Sequence, residues 1–168
     1  MNWCLTEIMK ELNEVTRAKD LIASEISASS KIKYFEGEEV DRSFDFDSKL
    51  KELNELVDKE MNYKFILTSY NAKTILIGYK EKLTISEGLI KLAILSKRLN
   101  FYKSYQSRKQ IEKRLIRASF QGDVDRIEVV EKLYDISKID EYVKETSKEI
   151  SKLQVAIDKT NLLTEVEV

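Results

Sequence analysis

Histidine is absent from this 168-residue chain, and so is proline. The first absence removes serine–histidine and cysteine–histidine hydrolases, imidazole acid–base chemistry and histidine-ligated metals together. The second, with only four glycines at Gly37, Gly78, Gly88 and Gly122, leaves few places where a helix must stop. A single cysteine, Cys4, excludes an internal disulfide and a cysteine-rich zinc site. No apolar run reaches the roughly 20 residues of a membrane-spanning helix, and the opening MNWCLTEIMK lacks the apolar core of a signal peptide. A glycine-rich phosphate loop and a calcium-loop pattern are also missing, so Glu38 and Glu39 do not read as a cation site. No carboxylate, lysine or tyrosine pair stands out as catalytic. These absences predict a cytoplasmic protein that is not an enzyme and holds neither metal nor cofactor.

What is present is the material of long helices. Charged residues make up 35% and hydrophobic ones 42% of the chain, the balance of amphipathic helices washed by solvent. Leu5, Ile8, Leu12, Val15, Ile22 and Ile26 recur at three- and four-residue spacings and predict a first helix over about 2–27, with Lys19 interrupting its seam. The segment 27–47, rich in serine and acid, breaks that period and reads as an ordered connector. A second helix is predicted over about 48–69, with Leu50, Leu53, Val57, Met61 and Phe65 facing inward. The β-branched residues of 73–85 around Gly78 predict a small hairpin. A third helix follows over about 86–118, enclosed on two sides by Leu89, Leu92, Leu99 and by Ile90, Ile94, Leu95. After a turn at Gln121–Asp123, residues 126–134 form a strand candidate, and a last helix runs over about 137–161 on Ile139, Val143, Thr146, Ile150, Leu153 and Ile157.

The fold class expected is therefore all-α. One domain spans 1–168 and bundles four principal long helices with one or two small β-hairpins. Apolar residues on more than one side of Ile90–Leu95 exceed what four helices of one chain can cover, so a symmetric homo-oligomer is expected.

Charge is unevenly placed. Net charge is −1, yet Lys97, Arg98, Lys103, Arg108, Lys109, Lys113, Arg114 and Arg117 crowd a stretch whose only acid is Glu112. Phe101, Tyr102, Tyr105 and Phe120 lie among them. On helical spacing Tyr102, Tyr105 and Lys109 share a face. Positive charge beside aromatic planes suits an anion that carries a flat ring. The candidate ligand-binding residues are Tyr102, Lys103, Tyr105, Arg108, Lys109, Lys113, Arg114 and Arg117. The band also fits a solvated helix face paired with acids such as Asp41, Asp45 or Asp47, although surface pairs contribute only about 0–1 kcal/mol each. A sequence pI near 5.8 and the lack of a recognition module argue against nucleic acid as partner.

Four short stretches, in order, resemble one family. They are Lys33-Tyr34-Phe35-Glu36-Gly37-Glu38-Glu39 after the first helix, Asn71 and Thr74 after the second, Leu83-Thr84-Ile85-Ser86-Glu87 before the third, and Asn161-Leu162-Leu163-Thr164-Glu165 at the C-terminal end. Together they resemble the septicolysin-like family of small helical bacterial and phage proteins. The chain departs from that pattern at Lys91-Leu92-Ala93, where the family has an Arg-Arg-Asp run, and at Leu162, where it has tryptophan. The stretch 103–125 is also longer. The resemblance implies a helical fold and oligomers; the family name implies cytolysis.

The function expected is a non-catalytic oligomer that binds and sequesters a small anionic, nucleotide-like molecule. A suitable setting is an immune second messenger captured by a phage anti-defence sponge. The alternatives are a structural or interaction module without a small ligand, and a septicolysin-like membrane-active protein. A membrane role has against it that the helices carry ordinary core stripes.

Overall fold

The apolar stripe of the first helix makes a 25-residue element. In the computed structural model, which describes residues 2–107, 109–117 and 125–167, the chain orders as β1 (Asn2–Cys4), α1 (Leu5–Ser29), α2 (Phe46–Lys73), α3 (Ile85–Ser104), β2 (Ile111–Ile116), β3 (Arg126–Glu131), α4 (Ile136–Leu163) and β4 (Glu165–Glu167). The protein is thus mostly helical, with four helices and two small two-stranded sheets among the described residues.

Helix starts are fixed by side chains that accept otherwise orphaned backbone N–H groups. The Glu7 carboxylate accepts from the Cys4 amide at 2.8 Å. Asp45 accepts from Ser48 N–H at 3.0 Å and opens α2. Thr84 and Glu87 form a reciprocal box at the start of α3: the Thr84 amide donates to Glu87 at 2.7 Å, and the Glu87 amide donates to the Thr84 hydroxyl at 3.2 Å. These bonds hold the Glu87 carboxyl below its ordinary value. Asp135 accepts from Ser137 N–H at 2.9 Å and opens α4.

Contacts divide the chain into two compact units, Met1–Glu87 with Ala156–Val168, and Gly88–Val155. In the first unit α1 and α2 pack antiparallel, as the ion pairs Lys19–Glu60 (2.7 Å) and Glu25–Lys49 (3.0 Å) show. β1 pairs antiparallel with β4, placing Trp3 opposite Val166. The buried hydrophobic residues here are Leu5, Ile8, Ile22, Leu76, Ile85, Ala156, Ile157 and Val166. Fully buried Thr160 donates its hydroxyl to the Ala156 carbonyl at 2.7 Å and accepts from the Ile77 amide at 2.8 Å. That bond pins the 74–84 turn, where Ile75 bridges Thr84 and Gly78 takes φ of 80°, a conformation that side chains disfavour. The hairpin expected over 73–85 is present as this single bridge.

The seam of α1 is the stripe read from its sequence, with Leu5, Ile8 and Ile22 buried. The inner face of α2 differs. Leu53, Leu56, Glu60 and Tyr63 are buried or half-buried, while Leu50, Val57, Met61 and Phe65 are exposed.

In the second unit α3 runs antiparallel to α4: Lys91 pairs with Glu149 at 3.5 Å, Tyr102 meets Tyr142, and Gln106 donates to Asp140 at 2.8 Å. Ile139, Val143, Thr146, Ile150 and Leu153 supply the inner face of α4. Among the described residues of this unit, Leu95 and Leu153 are the buried hydrophobics, and Leu89, Ile90 and Ile94 are exposed. α3 is therefore not enclosed on two sides.

The principal correction concerns the end of α3. The sequence predicts a helix to about 118, but α3 stops at Ser104 and residues 111–116 are a strand. Ile111-Glu112-Lys113-Arg114-Leu115-Ile116 pairs antiparallel with Arg126–Glu131, which contributes Ile127, Val129 and Val130. Cross-strand pairing with β-branched residues overrides the helix preference of the Glu-Lys-Arg run. The strand expected over 126–134 forms over Arg126–Glu131, and the expected Gln121–Asp123 turn lies outside the described residues.

Candidate functional site

The band is best built from the last turns of α3. Tyr105 and Gln106 donate backbone hydrogen bonds to the carbonyls of Tyr102 (3.0 Å) and Lys103 (3.2 Å), tightening the helix end into a three-residue turn. Five rings collect there. Tyr102 packs on Tyr142 with centroids 5.3 Å apart, Phe101 on Tyr105 at 4.9 Å, and Tyr105 on Tyr134 edge-on at 5.5 Å. The Tyr134 hydroxyl donates to the Tyr105 carbonyl at 2.9 Å. Such offset and edge-on contacts join α3, α4 and the segment after β3, so the rings expected to stack on a ligand instead hold one another.

The base of the β2–β3 ribbon is clamped by two residues outside the expected site. The Gln110 side-chain amide donates to the carbonyls of Lys132 and Tyr134, and Lys132 N–H returns a bond to the Gln110 carbonyl at 3.0 Å. The Lys132 ammonium donates to the Lys109 carbonyl at 3.0 Å and pairs with Glu112. That hydrogen bond, helped by the charges of Lys132 and Lys109, holds the Glu112 carboxyl below its ordinary value. The one acid within the basic stretch is thus already neutralised by lysine.

The basic residues themselves are placed as follows. Lys103 is exposed on the last turn of α3, and Lys109 lies in the loop leading to β2. Lys113 and Arg114 are consecutive in a strand, so they emerge on opposite faces of the ribbon. Arg117 follows the end of β2 and is exposed. Arg108 lies outside the described residues. The helical face proposed for Tyr102, Tyr105 and Lys109 does not exist, because the helix has ended. Among the described residues of the band, Lys109 and Lys113 border a common concavity, of about 410 Å³, with Ile111 and Glu112.

A larger concavity, of about 780 Å³, lies between the end of α1, the connector and the start of α2. Much of its charged lining is already engaged, although Lys31 and Lys33 also border it. Lys49 pairs with Glu25 and Glu52, Asp45 caps α2, and Asp41 accepts from the Ser43 amide at 2.8 Å. No group of three or more potential metal ligands occurs among the described residues.

Gln110, Lys132, Tyr134 and Tyr142 were not legible as site residues. Their only sequence signal is the strand character of 126–131, which brings a distant lysine back beside Glu112 once pairing is known.

No protein-family model matches the chain, and no curated protein matches it in sequence. In structure it is similar to a functionally unknown conserved protein from Corynebacterium diphtheriae, at 20% sequence identity and a TM-score of 0.71, over 99% of this chain and 100% of that one. At that identity the likeness shows a shared fold.

Proposed function

We propose that this protein is a non-catalytic helical interaction module that works as a homo-oligomer. The observation that supports this best is the amount of large hydrophobic side chain left facing solvent in ordered elements. Leu50, Val57, Met61 and Phe65 line one side of α2; Leu89, Ile90 and Ile94 project from α3. Such rows, unlike scattered single exposures, mark surfaces that a partner covers. Among the described residues no helix is long and apolar enough to cross a membrane, so these rows do not form a membrane span. Size-exclusion chromatography with light scattering is expected to give a mass of two or more chains. A strict monomer at every concentration would overturn the assembly reading.

One further observation favours a second role for the same assembly. Lys103, Arg114 and Arg117 make no ion pair with a described residue. Symmetry that brings copies of these cations together would create an anion-capturing cavity. A nucleotide-like anion at about 100 times its Kd would then stabilise the fold by about 2.7 kcal/mol, a shift readily seen in thermal melting. A nucleotide panel that leaves the melting temperature unmoved excludes this role.

A further inference from the structure

We propose that two copies of the chain associate face to face through the β2–β3 ribbon, burying Ile111, Leu115, Ile127 and Val129 and pairing Lys113 with Glu131 of the second copy. The proposal rests on the assembly reading above and adds the ribbon to the surfaces through which copies meet.

The cross-strand register sorts the ribbon into two unlike faces. Pairs lie at Ile111↔Glu131, Lys113↔Val129 and Leu115↔Ile127 on one side, and at Glu112↔Val130, Arg114↔Glu128 and Ile116↔Arg126 on the other. Residues directly opposite each other share a face, and successive residues alternate. The first face therefore presents four large aliphatic side chains with one lysine and one glutamate. The second presents Glu112, Arg114, Arg126 and Glu128 with only two aliphatic side chains, Ile116 and Val130, a more charged surface better suited to water.

All twelve residues of the two strands are exposed, so no described helix covers the aliphatic face. The exposures of its four aliphatic residues run from 48% at Ile111 to 65% at Ile127. A two-stranded ribbon open on both faces is marginal in water, whereas one packed by its apolar face is stable. The pattern is that of a half-buried sheet whose covering layer is not supplied by the described residues.

Charge selects the occupant. Neither Lys113 nor Glu131 has an ion-pair partner among the described residues. An acidic partner would satisfy Lys113 and repel Glu131, and a basic one the reverse. A second copy satisfies both, because the face is its own complement. The symmetry axis follows from the same two residues. With a two-fold axis parallel to the strands, β2 of one copy lies over β3 of the other. Leu115 then meets Ile127, and Lys113 lies beside Glu131, twice over. With the axis running across the strands, β2 lies over β2 and the two Lys113 ammoniums meet. Like-charge juxtaposition thus disfavours the second arrangement.

Four aliphatic side chains per copy fall short of the about 800 Å² per partner of a standard interface, so this contact is expected to be concentration-dependent. Sedimentation velocity of the full chain over a range of micromolar concentrations tests it. Ile127→Lys is expected to weaken association about tenfold or more. Lys113→Glu and Glu131→Lys should each weaken it severalfold, and the combined swap should recover it. Helical circular dichroism checks that each variant is folded, and the two charge variants alter only exposed positions. A wild-type chain that is monomeric throughout overturns this contact and the assembly reading together. An oligomer indifferent to Ile127→Lys overturns the ribbon contact and leaves the assembly reading intact. Loss of association in both single charge variants without recovery in the double overturns the two-fold pairing.

Discussion

Replacing Glu60 by alanine is expected to lower the melting temperature by several degrees, whereas replacing Lys19 and Glu60 together by leucine is expected to restore it or raise it. Glu60 is only 8% exposed, in the seam where α2 meets α1. It accepts from Lys19 across the helix pair at 2.7 Å and from Lys64 one turn along α2. Lys19 reaches it from the one polar position in the α1 stripe. Removing the carboxylate leaves the half-buried Lys19 ammonium with the more distant Asp20, at 4.0 Å, in place of its 2.7 Å partner, which costs more than the pair contributes. Filling both positions with leucine removes that cost and adds apolar contact. Lys64→Ala should change little, because its side chain is 59% exposed.

The pH dependence has a definite sign. Hydrogen bonds from Lys19 and then Lys64 lower the Glu60 pKa from its ordinary 4.5. Its stabilisation is therefore fully present above 4.5 and is lost as pH falls through the lowered folded-state value. The hydrogen bond to Glu60 raises the Lys19 pKa from its ordinary 10.5, so its share is full below 10.5 and is lost as pH rises through the raised value. The melting difference between wild type and Glu60→Ala should be flat across the neutral range and shrink in acid. A difference that grew on acidification would refute the assignment.

This pair also explains where reading the sequence succeeded and where it stopped. The α1 stripe was legible because one apolar row stands against a polar background. α2 carries two rows, Leu53–Leu56–Tyr63 and Leu50–Val57–Met61–Phe65, and periodicity alone cannot say which meets α1. The pairing of Lys19 with Glu60 decides it, and that is a contact between residues far apart in sequence. The β1–β4 sheet was hidden for the same reason, since Trp3 and Val166 meet only through the tertiary fold. The basic band misled for a different one. Its Glu-Lys-Arg content favours a helix locally, but the β-branched partner strand that captures it lies beyond the intervening turn. Once β2 is a strand, Lys113 and Arg114 part company, and the cluster visible in one dimension disperses in three. Its tyrosines, expected on one helical face, instead pack on Tyr134 and Tyr142 from beyond the band, while Tyr105 and Tyr142 stay exposed.

Leu5→Ala and Leu21→Ala are the same change on the same helix, and their outcomes should differ by most of the available range. Leu5 is fully buried and Leu21 is 72% exposed. Truncating a buried leucine removes the transfer energy of its lost atoms and leaves a cavity that neighbours fill only in part, together about 2–5 kcal/mol. At about 2–4 °C per kcal/mol for a chain of this size, the melting temperature should fall by about 5–15 °C. Truncating Leu21 forfeits little burial and gains a better helix former, so its effect should stay within about 0.5 kcal/mol. Chemical denaturation at low protein concentration separates the two, since dilution removes any contribution from association. The offset of sixteen residues places Leu21 on the far side of α1 from Leu5 at about 100° per residue. Comparable losses from both changes would mean that α1 is buried on two sides, and the seam assigned to Leu5, Ile8 and Ile22 would have to be redrawn.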